Sequence, residues 1–359
     1  MKIAVVLGTR PEIIKFSPII RELERRGLDY FVLHTGQHYS YSMDRVFFEQ
    51  LGLPEAKYDL DVGSGSHAKQ TGRMLIGVER VLTEEAPGVV LVEGDTNTVL
   101  AGALAAVKLG VKVGHVEAGL RSYDRQMPEE VNRVLADHCS DLLFAPTEKS
   151  RRILLGEGIH GSRIFVTGNT IVDAVHQNLD VAQSKANVLK RLRVRENDYF
   201  LVTVHRQENV DNRERFSGIL EGLKKVGERF GFPVVYPIHP RARKQMRAFG
   251  IRSEGLRLVG PLDYLSFLQL ESKARLVLTD SGGVQEETCI VGVPCVTLRY
   301  NTERPETLEV GSNVLAGTDP LEMASKVDLM LRKETTWVNP FGDGKAGERI
   351  VNIVAEMAA

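Results

Sequence analysis

The chain has 359 residues, 43% hydrophobic and 26% charged, the mix of a globular protein with room for two domains of roughly 100–200 residues each. Lys and Arg total 46 against 47 Asp and Glu, so a net charge of −1 lacks the basic excess of a non-specific nucleic-acid binder. Composition removes disordered, collagen and coiled-coil readings, and no run approaches the ~18 apolar residues of a membrane span. The apolar run after Met1 and Lys2 is too short for a signal-peptide core. Cys139, Cys289 and Cys295 are an odd number without a CxxC pair, which fits neither a disulfide framework nor a zinc site. A cytoplasmic protein is expected, with no nucleic-acid or membrane partner.

In chain order, residues 3–7 predict a strand and residues 13–26 a helix, with apolar side chains at 13, 16, 19, 20 and 23. A strand at 89–92, a helix at 98–108 and a strand at 111–116 follow. Residues 170–187 read as a helix after the turn Gly168-Asn169. Strands at 201–204, 234–237, 275–279 and 294–298 come next, with helices at 213–229 and 320–331. The turn cluster Asn339-Pro-Phe-Gly-Asp-Gly-Lys345 then precedes a last helix. Most strands are uniformly hydrophobic, as in parallel sheets covered on both faces. The expected class is α/β: two doubly wound, Rossmann-like domains at 1–170 and 171–338, with a helix at 339–359 returning to the first.

Ligands of doubly wound sheets bind outside the carboxyl ends of the strands. Those ends carry Gly8-Thr9-Arg10-Pro11-Glu12, Glu93-Gly94-Asp95-Thr96, Glu117-Ala118-Gly119-Leu120-Arg121, His205-Arg206-Gln207-Glu208-Asn209 and Thr279-Asp280-Ser281-Gly282-Gly283. Any one of these also suits a helix cap or surface turn; five together point to one polar cleft between two domains. Ser281, Gly282 and Gly283 open a helix whose backbone N–H groups would take a diphosphate, and Glu287, one turn on, would accept from a ribose diol. A plain strand-to-helix turn is the alternative. This Ser281–Glu287 segment is neither GxxxxGK[ST] nor GxGxxG, so ATP and NAD are unsupported. Asp95, Glu117 and Glu129 are the candidate acid–base groups. Arg133 lies four residues beyond Glu129, where an ordinary ion pair is also possible, and Asp95 could instead cap the helix at 98–108. His205, at a strand end beside Arg206, suits an anionic leaving group. His34 and His38 are four apart but flank Gly36, a loop rather than a helix face, so no metal site is expected.

The motifs Gly8-Thr-Arg-Pro-Glu-Ile-Ile-Lys15, Glu93-Gly-Asp-Thr96, Gly114-His-Val-Glu-Ala-Gly-Leu-Arg121, Pro128-Glu-Glu-Val-Asn-Arg133, Thr279-Asp-Ser-Gly-Gly-Val-Gln-Glu-Glu287 and Thr302-Glu-Arg-Pro-Glu306 occur in this order. Together they make the chain resemble the non-hydrolysing UDP-N-acetylglucosamine 2-epimerases from Lys2 to the segment ending at Gly344. The resemblance implies a GT-B-like architecture, a homodimer, UDP-N-acetylglucosamine and UDP as ligands, and no cofactor. It places Asp95, Glu117, Glu129, Arg133 and His205 on the family's catalytic positions. Arg10, Ser281, Gly282, Gly283 and Glu287 fall on its UDP-binding positions, with His239 near the phosphates. Gln37, His38 and Gln70 match an activator site of some bacterial members, but Lys69 stands where Arg is usual and would lose its bidentate contacts. The loop after Arg121 is shorter than in many relatives, and Gln207 stands where Arg is common. The implied chemistry is elimination of UDP across C1–C2 to 2-acetamidoglucal and re-addition. A glycosyltransferase of the same fold, a hydrolysing epimerase and a catalytically silent sugar-nucleotide sensor are the rival readings.

Overall fold

A computed structural model describes residues 1–37 and 41–357. Strands β1 (Ile3–Leu7), β2 (Tyr30–His34), β3 (Tyr58–Asp59), β4 (Val89–Glu93), β5 (Lys112–Val116), β6 (Leu142–Ala145) and β7 (Ile164–Val166) form one parallel sheet. Its order is β3-β2-β1-β4-β5-β6-β7. Around it run α1 (Arg10–Arg26), α2 (Tyr41–Leu51), α3 (His67–Glu85), α4 (Asn97–Lys108), α5 (Pro128–Cys139), α6 (Glu148–Gly156) and α7 (Thr170–Lys185).

A second parallel sheet contains β8 (Phe200–Thr203), β9 (Val234–Pro237), β10 (Leu256–Val259), β11 (Leu276–Thr279), β12 (Cys295–Thr297) and β13 (Asn313–Leu315). Its order is β10-β9-β8-β11-β12-β13. The remaining helices are α8 (Val188–Leu192), α9 (Gln207–Val210), α10 (Arg213–Phe230), α11 (Pro240–Ala248), α12 (Tyr264–Ser272), α13 (Gly282–Val291), α14 (Pro305–Glu309), α15 (Pro320–Leu331) and α16 (Ala346–Glu356). Two α/β units result: Met1–Gln177 with Phe341–Ala359, and Asn178–Pro340.

Each sheet is covered on both faces, which is why its strands read as unbroken apolar runs. In the second unit Phe200, Val202, Leu276 and Leu278 pack with Phe216, Leu223 and Val327 of α10 and α15. Leu201, Val235 and Val277 face the other way, onto Leu270 of α12 and Val284 of α13. In the first unit Ala4, Val6, Val90, Val92 and Val113 pack with Val78 and Val81 of α3 and Val99 and Ala103 of α4. The last helix, α16, lies on α1 of that same unit. Asp173 accepts the N–H groups of Ala346 and Gly347 at 3.2 and 2.9 Å, and the Asn169 N–H donates to the Phe341 carbonyl at 2.8 Å.

Both strand orders reverse direction once, at β1/β4 and at β8/β11, and the carboxyl ends flanking such a reversal are where doubly wound sheets bind ligands. One local expectation changes. The cap of α4 is Thr96, whose hydroxyl accepts from the Val99 N–H at 3.5 Å, and Asp95 stands outside the helix with its carboxylate on Arg133 instead. Helix α1 begins at Arg10, three residues before its apolar period, because Pro11 and a returning Glu12 carboxylate organise its polar first turn.

Candidate active site

In the first unit the ends of β1, β4 and β5 gather buried acids around one lysine. Glu12 reaches back from α1 to accept the N–H groups of Gly8 and Thr9 at 2.6 and 2.9 Å, and it also accepts from the Thr96 hydroxyl. Burial outweighs these bonds and pushes its pKa up to about 7. The Lys15 ammonium pairs with Glu117 and lies 3.3 Å from Glu93 Oε1. Glu93 is driven well above the carboxylate range by burial, Lys15 opposing and Glu117, Glu12 and Asp95 adding to the effect. Glu117 also accepts from Asn169 Nδ2 at 3.3 Å, and its φ of +69° places a non-glycine residue in left-handed space. Such strain costs of order 1–3 kcal/mol and concentrates at functional positions.

Asp95 follows β4 and is half-buried; its carboxylate takes Arg133 of α5 at 2.5 Å. Arg133 also binds Glu130 at 2.7 Å, and the other bonds of Glu130 come from Ser122 and the Tyr123 N–H. The carboxylates that hold Arg133 are thus Asp95 and Glu130, three residues back, while Glu129 sits half-buried in the first turn of α5. Arg10 stacks over Phe47 at 4.9 Å and pairs with Asp44 at 3.1 Å. The same Asp44 and Asp59 lie 3.3 Å from the ring nitrogens of His34; burial opposes its charge, but the two carboxylates prevail and raise its pKa to about 9.

Gln37 and Gln70 come together. The Gln37 side-chain oxygen accepts from the Thr98 N–H at 3.0 Å, and Gln70 Nε2 donates to the Gln37 and Gly63 carbonyls at 2.5 and 2.9 Å. Their companion His38 lies outside the described residues.

In the second unit His205 lies two residues beyond the end of β8. Its Nδ1 is 3.2 Å from Asp280 Oδ1, and the N–H groups of His205 and Arg206 donate to the same carboxylate at 3.0–3.1 Å. Burial opposes the Asp280 charge, yet His205, these backbone donors and Asn209 hold its pKa below the usual range. The His239 ring stands 5.9 Å from that of His205 and caps α11, accepting from the Arg241 N–H at 3.2 Å. Ser281 caps α13, Gly282 and Gly283 form its first turn, and Glu287 is buried one turn on. A Cβ on Gly282 would lie 2.5 Å from Glu303 Oε1, whereas one on Gly283 meets only Ser281 Oγ, at 4.0 Å. Gly283 therefore leaves the helix N-terminus open to an anion.

A family sequence pattern described as "UDP-N-acetylglucosamine 2-epimerase" matches residues 21–355. The UDP-N-acetylglucosamine 2-epimerase of Methanocaldococcus jannaschii is 55% identical over 99% of both chains, and that of Methanococcus maripaludis 53% identical over 98% of both. A crystal structure of the M. jannaschii enzyme in complex with UDP-GlcNAc and UDP superposes with a TM-score of 0.95 at 55% identity, over 99% of this chain and 100% of that one. The chain belongs to the UDP-N-acetylglucosamine 2-epimerase family.

In this 2-epimerase family member, four buried groups stand outside the site residues expected from the sequence, although Glu93 reads there as a possible base beside Asp95. Lys15, Glu93 and Glu12 belong to the acid cluster, and Asp280 orients His205. Their only signal was position, since each lies in or next to a motif at a strand end. A fifth, Glu271 on α12, is fully buried with neither carboxylate oxygen hydrogen-bonded to a donor. Burial and the neighbouring Glu287 charge push its pKa well up, so the folded protein keeps a proton there. The unfolded chain releases that proton above about pH 4.3. Stability therefore falls as pH rises from there toward the folded-state pKa, by about 1.4 kcal/mol per unit of elevation. Glu271→Gln removes this proton linkage. Thermal melts of both proteins should show the variant gaining on the wild type between pH 5 and pH 8; a constant difference would refute a protonated Glu271.

Proposed function

We propose that this chain interconverts UDP-N-acetylglucosamine and UDP-N-acetylmannosamine without hydrolysing either. The observation that carries the reading is the likeness, over nearly the whole chain, to a 2-epimerase solved with UDP-GlcNAc and UDP. The sugar C2–H is not α to a carbonyl, so deprotonation alone does not invert it. In the elimination a carboxylate takes the C2 proton and the C1=C2 bond forms. The C1–O bond breaks, and its electron pair leaves on the β-phosphate oxygen of UDP. UDP then returns to C1 while a proton is delivered to the opposite face of C2. The sum is redox-neutral and needs no electron acceptor.

Asp95, Glu117 and Glu129 are assigned to proton transfer, the role that the match of their motifs to the family's catalytic positions implies. Arg133 orients Asp95. Arg10, His205 and His239 are assigned to the departing diphosphate, with the N–H groups of Ser281, Gly282 and Gly283 at the start of α13, and Glu287 to the ribose diol. Gly283→Val places a branched side chain on the open side of that helix terminus, where its Cβ meets only Ser281 Oγ at 4.0 Å. It should weaken UDP at least about tenfold, roughly 1.4 kcal/mol, by calorimetry on a folded variant. Wild-type affinity would remove the assignment.

A homodimer is part of this reading. The layer of α3, α4 and α5 leaves Ile76, Val107, Val131 and Leu135 exposed, apolar surface that a second copy would cover. A monomer by sedimentation at micromolar concentration would remove it. No helix among the described residues is long and apolar enough to cross a membrane, and the three cysteines are unpaired thiols, which suits a reducing cytoplasm. The direct test of function is incubation with UDP-N-acetylglucosamine alone, followed by NMR. An equilibrium mixture of the two UDP-sugars is expected. Free N-acetylmannosamine as first product would mean a hydrolase instead, and no turnover without an acceptor a transferase.

A further inference from the structure

The His115 ring is fully buried on β5, two residues before Glu117. Its register partners are apolar, Val92 on β4 and Leu143 on β6. Nδ1 lies 2.7 Å from Asp137 Oδ1 on α5, and Nε2 lies 2.8 Å from the Gly94 carbonyl oxygen. A carboxylate and a peptide carbonyl only accept, so both contacts are hydrogen bonds only when both ring nitrogens carry protons. A neutral ring would aim a lone pair at one of them.

The surrounding charges agree. The other Asp137 oxygen takes Arg121 at 2.7 Å and the Gly119 N–H at 3.2 Å, and Arg121 binds Glu157 through two bonds of 2.8 and 2.6 Å. The row His115, Asp137, Arg121, Glu157 alternates in sign and sums to zero only when His115 is positive. Burial and Arg121 work against that charge, but Asp137 and the Gly94 carbonyl outweigh them and raise the His115 pKa. Asp137 itself is held below the ordinary carboxylate range, burial being overcome by His115 and Arg121.

What His115 grips is the turn that presents Asp95. Gly94 has a φ of +86° and donates its N–H to the Val116 carbonyl at 3.1 Å, so both its N–H and its C=O are tied to β5. The Asp95 carbonyl takes Asn132 Nδ2 at 3.0 Å, and its carboxylate takes Arg133. Helix α5 thus fixes this turn directly through Asn132 and Arg133, and through His115 by way of Asp137.

We propose that His115 is a positioning residue: as an imidazolium it locks the Gly94–Asp95 peptide onto β5 and keeps the Asp95 carboxylate where proton transfer needs it. The proposal rests on the reading of Asp95 as a proton-transfer group.

Long-range NMR of 15N-histidine-labelled enzyme tests the charge, with the His115 signal identified by its loss in His115→Gln. Both ring nitrogens should be protonated from pH 6 to pH 8; a neutral tautomer there overturns the proposal. Asp137→Asn removes the carboxylate that holds the charge. Its kcat should then fall along a new alkaline limb, by roughly 10²-fold once the ring is neutral, and recover at lower pH with KM little changed. An equal loss at every pH would assign the pair to fold stability alone and overturn the positioning role. Should Asp137→Asn not fold, the wild-type ring spectrum and the kinetics of His115→Gln decide: a lowered kcat at near-constant KM supports the proposal, and wild-type kcat overturns it. Asp95→Asn with full turnover would instead remove the reading of Asp95 and leave the ring's protonation state as measured.

Discussion

Glu117→Gln should lower turnover by roughly 10²–10⁴-fold, the usual worth of a general acid or base, while the protein stays folded. The substitution keeps the side chain's size and its bond from Asn169 but removes the carboxylate that Lys15 holds. Because Glu117 is buried and its backbone is strained at φ +69°, nothing nearby is free to take over its position. Asp95→Asn should lose activity on a similar scale, since an amide neither removes a proton nor attracts Arg133 as a carboxylate does. Progress curves by NMR measure both. Full activity in the pair would mean that the acids at the ends of β4 and β5 are structural.

Lys15→Met carries the second large effect. It removes the cation from among Glu12, Glu93 and Glu117, all buried, and breaking a buried ion pair from one side typically costs about 3–5 kcal/mol. The cost depends on pH in a defined direction. Without Lys15 the acids escape their mutual repulsion by staying protonated in the folded state, so the variant's deficit should be larger at pH 8 than at pH 5. Denaturant titration at the two pH values reads this. A deficit independent of pH would show that Lys15 acts through packing of its stem rather than through its charge.

The contrast between what was and was not legible follows from the range of the interactions. β1, β9 and α15 have the bounds that their apolar patterns predict, because local periodicity reports burial directly. Strand β10, whose side chains are only partly buried, offers no such run and was not singled out. The strand-end rule singles out Asp95, Glu117, His205 and Ser281, and each does follow a strand, because topology puts every carboxyl end on one edge of its sheet. It could not find Lys15. That residue reads as a solvated position on α1, and its ion-pair partner Glu117 lies 102 residues away. Arg133 shows a shorter failure, since spacing allows both i−4 and i−3 partners and the fold selects Glu130. Glu271, in Leu-Gln-Leu-Glu-Ser, looks like an ordinary surface acid until α13 covers it.

In the elimination route UDP leaves before C2 regains its proton. In heavy water, with UDP-N-acetylglucosamine as the only addition, the account predicts that UDP-N-acetylmannosamine carries deuterium at C2, because the carboxyl groups that return the proton exchange with solvent while the glucal intermediate waits. Mass spectrometry and the loss of the C2 proton signal both report it. Epimerised product that keeps its original C2 proton throughout would contradict the account.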